Sequence, residues 1–354
     1  MSPAEGAAVR WLARAEALLG AAAPRLDALN LFPVPDADTG SNMHATLLAA
    51  LRGVEQEAPG ADLGEAVARA GTAALDAARG NSGTLLAVAL TGAAAPLRGV
   101  TRPDPRVLAD ALRGADRAAR AALSEPREGT ILSVLSAAAD SLEASAASAT
   151  GADPDAELAA AVAAMVRDAR RAVEESETRL APLTRARVVD AGAVGALWVL
   201  EALRAEVVGG GADLEVAAAL HGYADGPGPV DGRDPDAASE PEGSAVEVMC
   251  TVELAPLQAA LLRQRLEEAG DSVILAPLTR TADGAGRLPW RVHVHVPRAE
   301  DALEVLHAAA EPRGVTVADL RAGHGHPPAA DDGHGADVAP SCREVPGPPE
   351  RHAG

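Results

Sequence analysis

Two carboxylates, Asp36 and Asp38, stand one residue apart in LFPVPDADTGSNM (31–43), behind Pro33 and Pro35 and ahead of Gly40, Ser41 and Asn42. Acids at i and i+2 can face one point where the backbone turns. Hard divalent cations such as Mg²⁺ take carboxylate oxygens, commonly one or two together with phosphate oxygens. The prolines reduce the freedom lost on ordering the turn. Asp and Asn also cap helices and stabilise turns, and that structural use accounts for most isolated pairs of this kind. Three further glycine-marked turns precede helical patterns. ARGNSGTLL (78–86) carries Gly80, Asn81, Ser82 and Gly83; REGTILSVL (127–135) carries Gly129 and Thr130; VVDAGAVGALWVL (188–200) carries Asp190, Gly192 and Gly195. A helix start presents free N–H groups to anions. One such turn is only a turn, but four in one helical region, one of them diacidic, point to a phosphate bound with a metal.

The elements that must position these turns are helices. Apolar residues at helical spacing predict helices over 4–28, 42–54, 60–78, 83–95, 105–123, 130–148, 154–178 and 191–208. Residues 1–208 therefore read as an all-α domain, and 209–244, rich in Gly, Pro and Asp, as a linker with one short helical turn. From 245 to 321 the period changes, giving strand, helix, strand, strand, helix, strand, the order of a ferredoxin-like α+β unit. Residues 322–354 read as a disordered tail.

Composition narrows the function. All 31 basic residues are arginines, the net charge is −20, and the five aromatics are Trp11, Phe32, Trp198, Tyr223 and Trp290. No basic run suits a nucleic acid and no apolar run is long enough for a membrane span. The N-terminus lacks the pattern of a secretory signal, and Cys250 and Cys342, the only cysteines, make no disulfide framework, so the cytoplasm is the expected compartment. Without lysine, phosphate charge must be met by metal ions and helix starts. His44, one turn past the acids, reads as a structural or solvated helix-face histidine.

A second constellation lies in the α+β unit. His293 and His295 in WRVHVHV project to one face of a strand, and Cys250 sits in the first strand. One thiolate and two imidazoles make a partial zinc set needing a fourth ligand. Equally, they describe a half-exposed strand beside a buried cysteine packing as a small hydrophobe. The tail histidines His324, His326 and His334 read as incidental composition.

Taken in order, LNLFPVPDADTGSNM, ARGNSGTLL, REGTIL and VVDAGAVG resemble the DhaL-type nucleotide-binding domain of the dihydroxyacetone kinase family. The resemblance is closer still to the ATP-binding subunit of bacterial fatty acid kinases, whose middle domain also matches LEEAGDS (266–272) and RVHVH (291–295). It implies a barrel of eight antiparallel helices with ATP and two Mg²⁺ at one end. Asp36 and Asp38 would bind the metals and carry the catalysis, with Asn30 near the position of a further acid in kinase relatives. Thr39, Gly40, Ser41, Asn42, Asn81, Ser82, Gly83, Gly129 and Thr130 would line the phosphate end, and Asp190, Ala191 and Gly192 the nucleoside. Cys250, His293 and His295 would hold a structural zinc. The implied activity is phosphoryl transfer by one subunit of a two-component kinase, the acceptor being a fatty acid held by a separate carrier protein. A dihydroxyacetone-carrying partner, as for a glycerone kinase L subunit, and a non-catalytic nucleotide-binding regulator are the alternatives; self-association into a homodimer is a further expectation. Two departures stand out. Ala37 replaces the usual glycine between the acids, and the family's third domain is not recognisable after residue 321.

Overall fold

The computed structural model describes residues 2–56, 61–224, 246–279 and 281–320. The predicted helices form as α1 (Pro3–Leu29), α2 (Thr39–Glu55), α3 (Leu63–Ala77), α4 (Gly80–Ala93), α5 (Pro105–Ala122), α6 (Ile131–Ser148) and α7 (Pro154–Arg179). A short α8 (Ala181–Ala186), absent from the sequence expectation, precedes α9 (Ala191–Val208). Most starts are fixed locally: Asp62, Asp104, Thr130, Asp153 and Asp190 each accept a backbone N–H one turn ahead.

Each helix packs on the next from α1 to α7, and α9 returns against α7 and α1, closing a ring. α9 is buried on every side from Ala191 to Ala202, which explains its apolar face having no polar counterpart. The core is aliphatic and small, so helices approach closely. A Cβ on Gly92 would stand 2.5 Å from the Gly114 carbonyl oxygen, where α4 crosses α5. The ring keeps an apolar cavity of about 250 Å³, lined among others by Trp11, Val67, Leu90, Leu135 and Leu200.

The first part of the expected linker is not one. Residues 209–224 belong to the helical domain: Val216, Ala217, Leu220 and Tyr223 are buried. Trp198 Nε1 donates to the Tyr223 hydroxyl (3.2 Å), and Glu201 accepts from both Arg204 and the Asp213 backbone. A few apolar residues spaced for a 3₁₀ turn (Leu214–Val216) outweigh the glycine-rich composition around them. The remainder of that linker, the predicted tail and its three histidines lie outside the described residues.

The second unit comprises β1 (Val246–Leu254), α10 (Pro256–Ala269), β2 (Asp271–Pro277), β3 (Leu288–Val296), α11 (Ala299–Ala309) and β4 (Arg313–Asp319). Its antiparallel sheet has the order β2-β3-β1-β4, the ferredoxin-like arrangement. α10 and α11 cover one face over Val248, Cys250, Val252, Val292 and Val294. The other face meets the helical domain, where Ile274, Ala276 and Leu278 join the helical core. Ser124 N–H donates to Val273 O (3.2 Å), and Arg263 bridges Leu123 O (3.1 Å) and Leu275 O (3.2 Å). Both faces being covered, β3 is buried without interruption from Arg291 to Val296. The half-exposed strand expected around the two histidines is therefore not what forms.

Candidate functional site

Asp38 occupies the N-cap position of α2, yet its side chain makes no capping hydrogen bond. The structural use that explains most such acids is therefore not its use here. Asp36 stands in hydrogen-bond contact with the Asp38 carboxyl, and burial first, then this neighbour, pushes it up to about 7. Asn30 braces the turn. Its Nδ2 donates to Asp36 Oδ1 and to Val34 O (3.1 Å), and its Oδ1 accepts from Thr39 Oγ1 (2.7 Å). Asn30 thus positions Asp36, with its amide nitrogen rather than its oxygen toward that carboxylate.

The four helix starts meet. Thr39 and Asn42 of α2 and Gly80, Asn81 and Ser82 of α4 line a small space with Asp36 and Asp38. Asn81 and Ser82 also line a neighbouring cleft of about 740 Å³ with Thr130, the N-cap of α6, and Asp190 and Gly192 at the start of α9. That volume falls within the range of small-molecule sites. Gly192 permits the approach, since a Cβ there would meet Ser82 Oγ at 3.2 Å. Asp190 caps α9 through Ala193 N–H (2.7 Å) and is buried, which pushes it up to about 7.

Other expected residues serve elsewhere. Ser41 turns to Asp27, donating its Oγ (2.7 Å) and backbone N–H (3.0 Å). Gly40 and Gly83 are close-packing positions, where a Cβ would stand 2.4 Å from Ala23 O and 2.6 Å from Thr46 Oγ1. Ala191 is buried in the core. Gly129 takes φ +87° and packs on Arg179, shaping the turn before Thr130. His44 pairs with Glu16 (2.7 Å) on the α1–α2 surface.

The cleft also holds residues not anticipated. Arg127 and Arg179 line it, as do Gly270, Asp271 and Ser272 from the second unit. In a lysine-free chain the arginine opening REGTIL was the available signal for Arg127. The LEEAGDS junction has a steric reason too: a Cβ on Gly270 would lie 1.9 Å from His295 O.

The expected zinc set is not assembled as a unit. Cys250 pairs with Val292 in the β1–β3 register, so its side chain enters the core under α10 and α11. Met249, not Cys250, is opposite His293, and strand alternation puts the thiol on the other face from the histidines. Burial pushes the Cys250 thiol up to about 12, away from the thiolate a metal requires. The residue that shares the histidines' face is Glu247, opposite His295. Ligand atoms of Glu247, His293 and His295 lie within 4.8 Å of one another. Burial holds His293 well below the usual imidazole range and His295 at about 4, so both rings are neutral at pH 7.

Comparison with known proteins agrees with this architecture. The model of the DAK2 domain matches residues 33–205, and that of the FakA-like middle domain of fatty acid kinases matches residues 244–327. The chain carries a DAK2 domain followed by a FakA-like middle domain. Over 187 residues the chain is 30% identical to Protein YloV of Bacillus subtilis (strain 168), covering 53% of this chain and 32% of that protein. It is 31% identical over 192 residues to an uncharacterized protein of Staphylococcus aureus (strain USA300), covering 54% of this chain and 34% of that one. The chain thus spans about a third of the length of the curated relatives it matches. The dihydroxyacetone kinase from C. freundii, solved in complex with AMP-PNP and Mg²⁺, is 21% identical with a TM-score of 0.42, covering 57% of this chain and 33% of that one. In the DAK2 domain the acid turn and all four helix starts lie at one end of the ring, and the middle domain covers that end. Among the described residues no helix is long and apolar enough to cross a membrane.

Proposed function

We propose that this chain is the nucleotide-binding subunit of a two-component kinase, holding ATP–Mg²⁺ at the acid-turn end of its DAK2 domain. The observation that carries the reading is the Asp36–Asp38 pair, converged and unused for capping, beside a cleft formed where helix starts meet. The donors fit the metal. Two adjacent carboxylates are hard oxygen ligands, and a divalent cation relieves the repulsion that otherwise keeps a proton on the pair. Asp36 and Asp38 would hold the cation, Asn30 fixing the first of them. The starts of α4, α6 and α9 would turn their N–H groups to the phosphates, with Arg127 and Arg179 adding charge at the cleft wall. Bound there, Mg²⁺ supplies charge compensation on the phosphoryl oxygens during in-line transfer.

For the acceptor we favour a fatty acid presented by a separate carrier protein. The middle domain of the fatty acid kinase type, seated on the nucleotide end, supports this over dihydroxyacetone. A carboxylate acceptor is already deprotonated at pH 7 and needs no general base. The test is calorimetric titration of ATP–Mg²⁺ into the intact chain and into an Asp36→Asn/Asp38→Asn variant. The variant should bind at least about tenfold more weakly; binding equal to wild type overturns the assignment. Phosphoryl transfer to fatty-acid-loaded carrier then tests the acceptor, and nucleotide binding without turnover would favour a regulator.

A further inference from the structure

Losing Cys250 from the expected zinc set does not leave the two histidines without a third donor. Antiparallel pairing puts Glu247 of β1 opposite His295, and alternation along β3 puts His293 on the same face. His293 is fully buried, His295 is 2% exposed, and the Glu247 side chain is 12% exposed. His295 Nε2 stands 3.0 Å from His293 Nε2 and 3.9 Å from Glu247 Oε2. Ligand atoms about 2 Å from a tetrahedral ion stand roughly 3.3 Å from one another, so side-chain shifts of about 1 Å bring all three onto one point. Among the described residues this is the group whose donors lie close enough to share an ion.

Two neutral imidazoles can also satisfy each other through one Nε2–H···Nε2 hydrogen bond. In that arrangement only one of the two Nδ1 atoms carries a proton. Yet each Nδ1 is buried without a hydrogen-bond partner, and each faces a carboxylate oxygen. His295 Nδ1 lies 3.7 Å from Asp271 Oδ1, and His293 Nδ1 lies 3.8 Å from Glu247 Oε2. A bare lone pair set against an acid oxygen gains nothing. A cation that takes the lone pair of both Nε2 atoms leaves both Nδ1 atoms protonated, and two carboxylate neighbours suit two N–H groups. It also explains why an acid is brought against two buried imidazoles, which a hydrogen bond between the rings alone does not.

We propose that Glu247, His293 and His295 hold a divalent cation of the zinc class. The family resemblance implied a thiolate in this set; the chain supplies instead a carboxylate three positions earlier on the same strand. One carboxylate, two imidazoles and a water make a four-coordinate set that zinc accepts. Glu247 and His295 border the space that Asp36 and Asp38 line, but the two sites share no ligand. The inference therefore stands or falls apart from the reading of the acid turn.

The experiment uses the full chain in a Cys342→Ser background, dialysed against chelator and kept in excess Mg²⁺, with Zn²⁺ and Co²⁺ as probes. Calorimetry should find a tightest Zn²⁺ site that survives both Cys250→Ser and Asp36→Asn/Asp38→Asn. That site should weaken by about a hundredfold or more in Glu247→Ala and in His295→Ala. Wild-type affinity in those two variants places the zinc elsewhere, as on the tail histidines, and overturns the inference. Loss in Cys250→Ser overturns it in favour of the thiolate. Loss in the double aspartate variant overturns it too, placing the zinc at the acid turn and leaving the proposed function standing. The Co²⁺ chain should show the visible bands of a four- or five-coordinate ion without a thiolate charge-transfer band, and Glu247→Cys should add that band. Where the substituted chains do not fold, the Co²⁺ wild type still decides. Its proton spectrum should hold two contact-shifted, exchangeable ring N–H signals, one from each Nδ1. A thiolate band in the wild type, its absence from folded Glu247→Cys, or a lack of the two ring signals overturns the inference.

Discussion

Ala37 lies between the two acids with φ +57°. That left-handed conformation strains a residue bearing a Cβ by roughly 1–2 kcal/mol. Glycine removes the strain but raises the entropy of the unfolded chain, a loss of about 0.4–1 kcal/mol. The first effect is the larger, so Ala37→Gly should stabilise the protein by about 0.5–1 kcal/mol in denaturant titration, with nucleotide–Mg²⁺ affinity unchanged or improved. A destabilised variant would mean that the alanine methyl makes a contact worth more than the strain. The strain persists beside Asp36, where Asn30 and Thr39 lock the turn from within. The turn is therefore over-determined, as a pair of like charges requires if it is to stay converged.

At the scale of the element, α9 begins on a buried acid. Asp190 has an ordinary value of 3.8 and is pushed to about 7 by burial, against the lowering effect of the Ala193 and Gly192 N–H groups. Between about pH 4 and 7 the folded chain keeps a proton there that the unfolded chain has released. The stabilisation is complete below pH 4 and is lost as pH rises toward 7. Asp36 and Glu247, each also raised to about 7, act in the same direction. Asp190→Asn keeps a capping oxygen and cannot ionise, so melting scans should show a shallower fall from pH 4 to 8 and a higher midpoint than wild type at pH 8. Asp190→Ala removes the cap and should lose about 0.5–2 kcal/mol at every pH. β1 makes a parallel case. Cys250 is fully buried between sheet and helices with its thiol pushed up to about 12. In a Cys342→Ser background the native protein should show no thiol reaction with a disulfide reagent until denaturant unfolds it, and Cys250→Ser should leave the metal content of the purified protein unchanged.

For the whole molecule, the decisive contact is the middle domain on the DAK2 domain. Arg263 on α10 donates to Leu123 O after α5 and to Leu275 O on β2, tying the two domains through one guanidinium. Arg263→Ala leaves two carbonyls unsatisfied, a penalty of about 1–3 kcal/mol. Hydrogen exchange should speed up along β2 and around Ser124, while the far end of the helical ring, around Trp11 and Leu203, keeps its protection. If exchange in β2 is unaltered, the domains are held by their apolar contacts alone.

Much of this was legible in the residues. Helical periodicity located the long helices because an amphipathic or wholly apolar run admits few other solutions, and the six-element order named the sheet topology. The acid turn and three glycine turns marked one end of the ring, since helix starts need caps whose chemistry is local. Ala and Leu patterning could not reveal that 209–224 packs into the helical core, because those contacts are made to residues far away in the chain. Nor could spacing decide the face of Cys250. His293 and His295 share a face by alternation within one strand, whereas the thiol's side depends on the register between β1 and β3, which tertiary pairing sets. The same register turns Glu247 toward Asp36 and Asp38. Local chemistry determined which helix starts could meet an anion; only the docking of the sheet, fixed by apolar burial on both its faces, decided that Glu247 and His295 line the space beside the acid turn.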